Sequence, residues 1–380
     1  PILKKAGYDQ DTAGAIFSAG GIGAVISPPV MGAASFLIAE FLRISYLEVI
    51  AMSVVPTVLY YLGILLMIEL DVKRLGIQAV EFSKKNLRRL CLDYWFHFTS
   101  LFAIVVFMLL DFSVEYSITL SMAVGAVFSW LRQDTRLTPL RLITALEEAG
   151  RQILSVASTC AAAGIIIGVF TLTGLGLKVS GIIVDLAGGN LHLTLLYTAV
   201  ILLVLGLALP ITASYIIAAV ITVPAMTKLG IPDYAAHMFV FYYAILSEVS
   251  PPVALSPVAA AALTGGNPWR TMMITWKYTL PTFLVPFMFT ATPEGVGLLF
   301  KGTAGNIALS VTTAIIAIIA LVQGVSGYFW GKEAGKPERA MFVASGLLLF
   351  AADWKTDLAG FVLFGGGWSI HSLRSRGNPH

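Results

Sequence analysis

Two stretches of this chain, 1–30 and 224–253, repeat one another, and each carries Ser-Pro-Pro-Val at the same distance from its start. Pro1-Ile2-Leu3-Lys4-Lys5-Ala6-Gly7 is echoed by Pro224-Ala225-Met226-Thr227-Lys228-Leu229-Gly230, and Ser27-Pro28-Pro29-Val30 by Ser250-Pro251-Pro252-Val253. Lys5 with Lys228, and Asp9 with Pro232 and Asp233, hold the register to within a residue. A proline also falls in the apolar stretch that follows each copy, Pro56 and Pro281. In an apolar chain, duplicated segments interrupted by Gly and Pro point to the binding site of a secondary transporter, where broken helices expose backbone dipoles at membrane depth.

The membrane setting follows from composition. Hydrophobic residues make up 57% of the chain and charged residues 12%, against roughly 25% charged in soluble domains; the mean hydropathy is +0.85. Apolar runs close to the ~20 residues that cross a bilayer recur at 47–70, 91–112, 116–131, 153–175, 191–209, 269–291 and 307–330. The net charge of +3 is what bilayer-flanking Lys and Arg produce and gives no reason to expect nucleic acid. The chain opens inside the first copy with neither signal peptide nor initiating Met, which reads as an absent N-terminal part: the partner of 205–223 would precede Pro1. Cys91 and Cys160 stand apart in apolar surroundings and read as inert core thiols.

Residues 11–26 form a helical stretch of only about 24 Å at 1.5 Å per residue, short of a ~30 Å hydrocarbon core, before Ser27-Pro28-Pro29 breaks it. Proline removes a donor and clashes with the preceding turn, so carbonyls around Ile26 and Ser27 lose their helical partners. Unpaired carbonyls are costly in lipid, so protein, water or a cation must cover them. The same holds for 246–252. A pair of kinks patched by Ser hydroxyls is the simpler explanation of either break alone; their duplication at fixed spacing favours a site. A third irregular element, 206–214, has Pro210 in an apolar run with Thr212 and Ser214 supplying hydroxyls. Hydroxyl and carbonyl oxygens suit a small hard cation, and sodium fits; back-bonding of these hydroxyls to their own helix is the alternative.

Glu248 is the one carboxylate inside a break, where the first copy has Val25. An ionisable group at such depth is a candidate cation ligand, proton carrier or substrate-facing group, with a basic scaffold partner as the alternative. His237 and His97 read as hydrogen-bonded structural histidines. Residues 71–89, rich in Lys and Arg, read as an amphipathic segment on the cytoplasmic surface, and 132–151 as a second surface segment of mixed charge. The short apolar runs 340–351 and 358–368 pair as a terminal hairpin, followed by a frayed tail with Arg374 and Arg376.

With these residues laid out, the chain resembles the large membrane subunit of the TRAP (tripartite ATP-independent periplasmic) transporters, most of all the fused permeases that work with TAXI-type binding proteins. The residues that carry the resemblance are the run 17–34 (FSAGGIGAVISPPVMGAA), then Leu172-Thr173-Gly174-Leu175-Gly176-Leu177-Lys178, Leu209-Pro210-Ile211-Thr212-Ala213-Ser214-Tyr215 and Ser247-Glu248-Val249-Ser250-Pro251-Pro252-Val253. The similarity extends from residue 1 to about 290, and the terminal hairpin also fits that branch. It implies an all-α polytopic membrane protein: an inverted-repeat elevator-type transporter with re-entrant hairpins and broken helices. The first repeat of its transport domain would occupy 1–46, scaffold and arm segments 47–150, the second repeat with a flanking helix 151–290, and C-terminal helices 291–380.

The resemblance further implies sodium as the coupling ion and no other cofactor. By position, a first cation site would involve Ser18, Gly20, Gly21, Gly23, Ser27 and Pro28, and a second Pro210, Thr212 and Ser214 with Ser247, Ser250 and Pro251; Glu248 and Thr212 would serve substrate or coupling. Implied partners are a periplasmic TAXI-type binding protein, small-subunit helices fused upstream of residue 1, and the lipid bilayer of the bacterial inner membrane. The hairpin before Pro1 is lacking, so only half of the first site would be present. A sodium-coupled importer of a small organic, carboxylate-type solute explains these features together. A proton-coupled transporter using Glu248 is the alternative. A membrane-embedded enzyme would need a nucleophile and base or metal ligands at depth, and a passive channel needs no paired breaks.

Overall fold

The computed structural model describes residues 2–76, 84–207, 209–329, 332–351 and 354–376. Most of them are helical. The first repeat contains α1 (Ile2–Lys5), α2 (Gln10–Ile22) with a 3-10 continuation Gly23–Ile26, and α3 (Ala34–Leu42), and leads into α4 (Tyr46–Leu75). Then come α5 (Lys84–Tyr94), a 3-10 segment Trp95–Phe98, α6 (Thr99–Leu109), α7 (Val114–Ser129), α8 (Pro139–Thr173), α9 (Leu175–Leu186) and α10 (Leu191–Gly206). The second repeat comprises the end of α11 (Ile211–Lys228), α12 (Asp233–Ser247), α13 (Leu255–Thr264) and α14 (Pro268–Thr279), with a 3-10 segment Leu280–Leu284 and α15 (Val285–Met288) behind it. The chain finishes with α16 (Ala304–Ser326), the short antiparallel ladder β1 (Tyr328–Phe329) and β2 (Lys332–Glu333), α17 (Lys336–Leu348) and α18 (Trp354–Arg376).

The duplication is structural as well as sequential. Gly7 and Gly230 both adopt left-handed backbone, φ 90° and 89°, which glycine enters without a Cβ penalty. The bond that each turn makes is the same: Tyr8 N donates to Leu3 O at 3.1 Å and Ile231 N to Met226 O at 3.3 Å. Both pre-break helices stop at Ser-Pro-Pro, and both Pro-Pro bonds, Pro28-Pro29 and Pro251-Pro252, are cis. Each post-break helix ends on a left-handed residue, Arg43 or Gly265. Each following helix is capped by a side-chain oxygen, Ser45 Oγ on Glu48 N or Asn267 Oδ1 on Arg270 N.

The two copies run in opposite directions, and α4 is the ruler. At one end of α4, Asp71 pairs with Lys277 at 2.7 Å, and burial together with the charges of Glu69 and Asp71 pushes the Tyr8 phenol pKa up. At the other end, about 35 Å away at 1.5 Å per residue, Glu48 pairs with Lys301, whose ammonium lies 5.6 Å from the Tyr234 ring. The first repeat therefore starts beside Asp71 and climbs α4 towards its N-terminus: Tyr60 donates to Ala19 O and Thr57 to Ile26 O. The second starts beside Glu48 and descends, bringing the Tyr242 ring to 6.4 Å from that of Tyr60. Two copies of one motif with opposite polarity across one long helix make an inverted repeat.

Among the described residues, Tyr46–Arg74, Arg88–Leu109, Ile211–Lys228 and Ala304–Ser326 are long and apolar enough to cross a bilayer, and Cys160–Phe170 with Leu175–Leu186 adds a fifth span if their 75° bend is internal to it. Two segments differ from the sequence reading. The apolar run 269–291 is not one span; it divides into α14, the 3-10 segment and α15, because Pro281 and Pro286 withdraw two donors. The corresponding proline of the first copy, Pro56, by contrast lies inside α4 without stopping it. Residues 132–151 are no separate surface segment, since from Pro139 they continue as one helix to Thr173. Of the expected amphipathic segment 71–89, residues 77–83 lie outside the described residues.

Cys91 and Cys160 are exposed rather than core; in a bilayer an apolar neighbourhood belongs to the outer surface as readily as to the interior. The terminal hairpin forms as expected, with α17 packed on α18. It is fastened by Glu338, which accepts from Gly335 N at 2.8 Å and lies 2.9 Å from His371 Nδ1; His371 Nε2 lies 2.9 Å from Phe329 O.

Candidate functional site

The first break is covered by α4. Tyr60 Oη donates to Ala19 O at 2.8 Å, Tyr61 Oη to Gly20 O at 3.2 Å and Thr57 Oγ1 to Ile26 O at 2.7 Å. These three donors sit three and four residues apart, on one face of α4. Gly32 N closes on Val25 O at 2.9 Å, and Ser27 Oγ donates to Gly23 O at 2.6 Å. The carbonyls stripped by Pro28 and Pro29 are thus largely partnered by protein. Gly23 is required by packing, because a Cβ there would meet both tyrosine rings at 2.7–2.8 Å; Gly20 and Gly21 face open space. Among the described residues, no donor reaches the carbonyls of Ser27 and Pro28.

The second break repeats the back-bond and not the cover. Ser250 Oγ donates to Leu246 O at 2.7 Å, the counterpart of Ser27 on Gly23. Ser247 Oγ donates to Ala244 O at 2.7 Å and Ser256 N to Glu248 O at 3.3 Å. The carbonyls of Val249, Ser250 and Pro251 find no donor among the described residues. Glu248 is half-buried, and among the described residues its carboxylate has neither an ion pair nor a hydrogen bond.

The third irregular element adjoins this break. Gly206, the last residue of α10, lies so close to Ser247 that a Cβ would run into the serine side chain. That contact sets the turn leading to Pro210 beside the C-terminal end of α12. Ser214 is fully buried, its N–H on Pro210 O at 2.9 Å and its hydroxyl 3.3 Å from Leu209 O. Thr212 is half-buried with its hydroxyl unpartnered among the described residues. The structure thus sets the end of α10, four residues before Pro210, against Ser247 at the C-terminal end of α12, with Thr212 and Ser214 opening the helix that follows, α11.

Each repeat packs on the post-break part of the other. Helix α2 lies against α13 and α14, and α12 against α3. Ser18 Oγ, buried on α2, is 2.8 Å from Ser256 Oγ in the first turn of α13, so a residue expected at the first site contacts the helix that follows the second break. Asp11 Oδ1 accepts from Asn267 N at 2.6 Å, and Gly14 lets Thr264 and Thr271 approach. His237 is a satisfied histidine, 2.8 Å from Tyr215 Oη and packed against the ring of Phe41; His97 is exposed and stacks on Tyr94.

Chemically, the two breaks offer hydroxyl and carbonyl oxygens, with one carboxylate at the second. A serine hydroxyl that donates its proton to a backbone carbonyl keeps both lone pairs, so the back-bonds of Ser27 and Ser250 fix the hydroxyl direction without removing it as a ligand. Thr57, Tyr60, Tyr61 and Ser256 were not singled out from sequence. The i, i+3, i+4 spacing of the first three was the available signal.

Residues 1–294 match a family model described as "Tripartite ATP-independent periplasmic transporter, DctM component". No match to a curated protein was found.

Proposed function

The chain belongs to the DctM component family of the tripartite ATP-independent periplasmic transporters, and on that premise we propose a sodium-coupled membrane permease that imports a small organic carboxylate handed over by a periplasmic binding protein of the TAXI type. At family level it is a multi-pass TRAP membrane permease. The observation that carries the finer reading is the packing of two oppositely directed repeats, pre-break helix on post-break helix through Ser18 and Ser256, with backbone oxygens at both breaks that find no donor among the described residues.

In this reading the carbonyls of Ser27 and Pro28, with the Ser27 hydroxyl, serve a first sodium ion, while Ser18, nine residues earlier in the chain, holds α2 against α13. The carbonyls of Val249, Ser250 and Pro251 with Thr212, Ser214, Ser247 and Ser250 serve a second. Lys73 and Arg74 follow Asp71, so the positive-inside tendency puts the turn of the first repeat on the cytoplasmic side and that of the second on the periplasmic side. The packed repeats move as a unit past the remaining helices, carrying the breaks between faces. The bacterial inner membrane is the setting, with small-subunit helices supplied upstream of residue 1.

The test is uptake by the complete permease with its binding protein, with sodium replaced by choline at fixed pH and membrane potential. Loss of uptake supports sodium coupling; unchanged uptake removes it. Proton coupling is the second reading, favoured by the half-buried Glu248, which has no ion pair among the described residues. It calls for uptake that follows an imposed pH gradient without sodium.

A further inference from the structure

We propose that the turn carrying Arg132 and Arg136, with the apolar groove beside it, binds one anionic phospholipid, its phosphate on the two guanidinium groups and an acyl chain along α6 and α7. The turn is built rather than loose. Thr135 Oγ1 donates to Ser129 O at 2.9 Å, Leu137 N to Ser129 Oγ at 3.1 Å, and Arg141 Nη1 to the carbonyls of Asp134 and Arg136 at 2.9 and 3.0 Å. Arg132 is held with its guanidinium carbon 4.6 Å from the Tyr94 ring centre and Nη1 3.3 Å from Asp93 O. Arg136 lies 5.9 Å from the Trp130 ring, and its Nε is shielded from solvent with no acceptor among the described residues. A shielded guanidinium N–H without an acceptor is costly to leave so, and a phosphate oxygen would satisfy it in the forked geometry arginine prefers.

The charge is not cancelled locally. Among the described residues, Arg132, Arg136 and Arg141 have only the Asp134 carboxylate beside them, paired with Arg132 at 3.9 Å, since Asp93 pairs with Arg89 at 3.7 Å. From this cationic edge the surface turns apolar at once. A groove of about 440 Å³ under Leu90, Tyr94, Trp95 and Phe98 runs into one of about 620 Å³ lined by Phe102, Val106, Val124 and Phe128. From Trp95 to Val106 the groove rises roughly 17–20 Å at 1.5–2.0 Å per residue, close to half of a ~30 Å hydrocarbon core and so the reach of one acyl chain. Trp95 and Trp130 sit at the charged end, where interfacial tryptophans belong. A neighbouring groove of about 330 Å³ shares Phe102 and Val106 and extends to Pro28 and Pro29, so the chain end would lie against the first break.

An apolar protein helix would fill the groove equally well. The arginine edge is what favours a lipid, because an apolar helix brings no anion to Arg136.

The experiment is native mass spectrometry of the purified chain released from detergent with equal amounts of dioleoyl phosphatidylglycerol and dioleoyl phosphatidylcholine. The expected result is preferential retention of phosphatidylglycerol, reduced roughly fivefold by Arg136→Gln and further by adding Arg132→Gln, as for about one surface charge each. Ala103→Trp, which fills the groove, should lower retention of both lipids while leaving the arginines intact. Helical circular dichroism and monodisperse elution check each variant; should any fail to fold, the wild-type competition decides by itself. Equal retention of the two lipids overturns the proposal. So does a double variant that binds as wild type, competition by glycerol 3-phosphate alone, which would mark a free-anion site, or a groove that retains no phospholipid.

Discussion

Ser18 Oγ and Ser256 Oγ lie 2.8 Å apart, a side-chain bond between the pre-break helix of the first repeat and the post-break helix of the second. Either oxygen can be the donor, and Ser18 is 2% exposed, so removing one hydroxyl strands the other. Ser18→Ala and Ser256→Ala should each destabilise the protein by about 1–2 kcal/mol, and the double variant should lose less than the sum. Thermal unfolding of all four proteins in one detergent checks this; strict additivity would mean that the two hydroxyls do not depend on each other.

The cover of the first break gives a second prediction. Thr57→Val keeps side-chain shape and removes the donor to the buried Ile26 carbonyl, at a cost of about 1–3 kcal/mol. Tyr61→Phe should cost less, since its 3.2 Å bond is longer and its side chain only half-buried. The ranking is read from unfolding midpoints, and a reversed order would show that Thr57 is not what satisfies the break.

How much of this could be read from the chain beforehand differs by element. The breaks at Ser27 and Ser250 were legible because proline acts on its own backbone and needs no tertiary knowledge, and the terminal hairpin because two neighbouring apolar runs are each too short to span; the echo of Gly7 in Gly230 was visible, but the left-handed turn it makes came from the structure. The donors on α4 were not legible, because Thr57, Tyr60 and Tyr61 lie in a run whose average hydropathy hides them. Ser256 was invisible for another reason: its partner is 238 residues away, and only the crossing of α13 over α2 makes them neighbours. Direction was the third gap. Lys4, Lys5 and Lys228 carry no charge asymmetry from which to read inversion, whereas the ion pairs of Asp71 and Glu48 at the two ends of α4 display it directly.

Those two ion pairs should not contribute equally. The Asp71 carboxylate is nearly buried against Lys277, which contacts both of its oxygens at 2.7 and 2.8 Å, whereas Glu48 and Lys301 are about two-fifths exposed. Asp71→Asn should lower thermal stability clearly, because Lys277 keeps its charge without its partner. Glu48→Gln should fall within about 1 kcal/mol of wild type. Adding 0.5 M salt should shrink the small effect of Glu48→Gln further and leave that of Asp71→Asn largely in place. Equal effects of the two substitutions would place both pairs in the same solvent environment, contrary to their burial.

Gly206 and Ser247 make the contact that seats the turn before Pro210 against α12. Gly206→Ala should overpack it, at about 1–3 kcal/mol, and Ser247→Gly in the same chain should restore stability by making room. If the turn also forms part of a sodium site, Gly206→Ala should weaken the sodium dependence of uptake in the complete permease, and the paired change should restore stability more fully than uptake, since it deletes a hydroxyl.

Glu248 and Ser250 separate ligand from scaffold. Glu248 has no ion pair among the described residues, so Glu248→Gln leaves no opposite charge stranded, and folded yield and unfolding midpoint should stay close to wild type. Transport should fall sharply if the carboxylate faces a cation or carries a proton. Ser250→Ala removes the bond to Leu246 O and one hydroxyl while every backbone carbonyl remains. Apparent sodium affinity should then weaken several-fold, on the order of 1 kcal/mol, with a stability loss of similar size. Sodium-dependent uptake measured beside thermal stability for both variants distinguishes the roles: if Glu248→Gln transports fully and Ser250→Ala keeps its sodium dependence, the second break is a kink held by a serine back-bond and not an ion site.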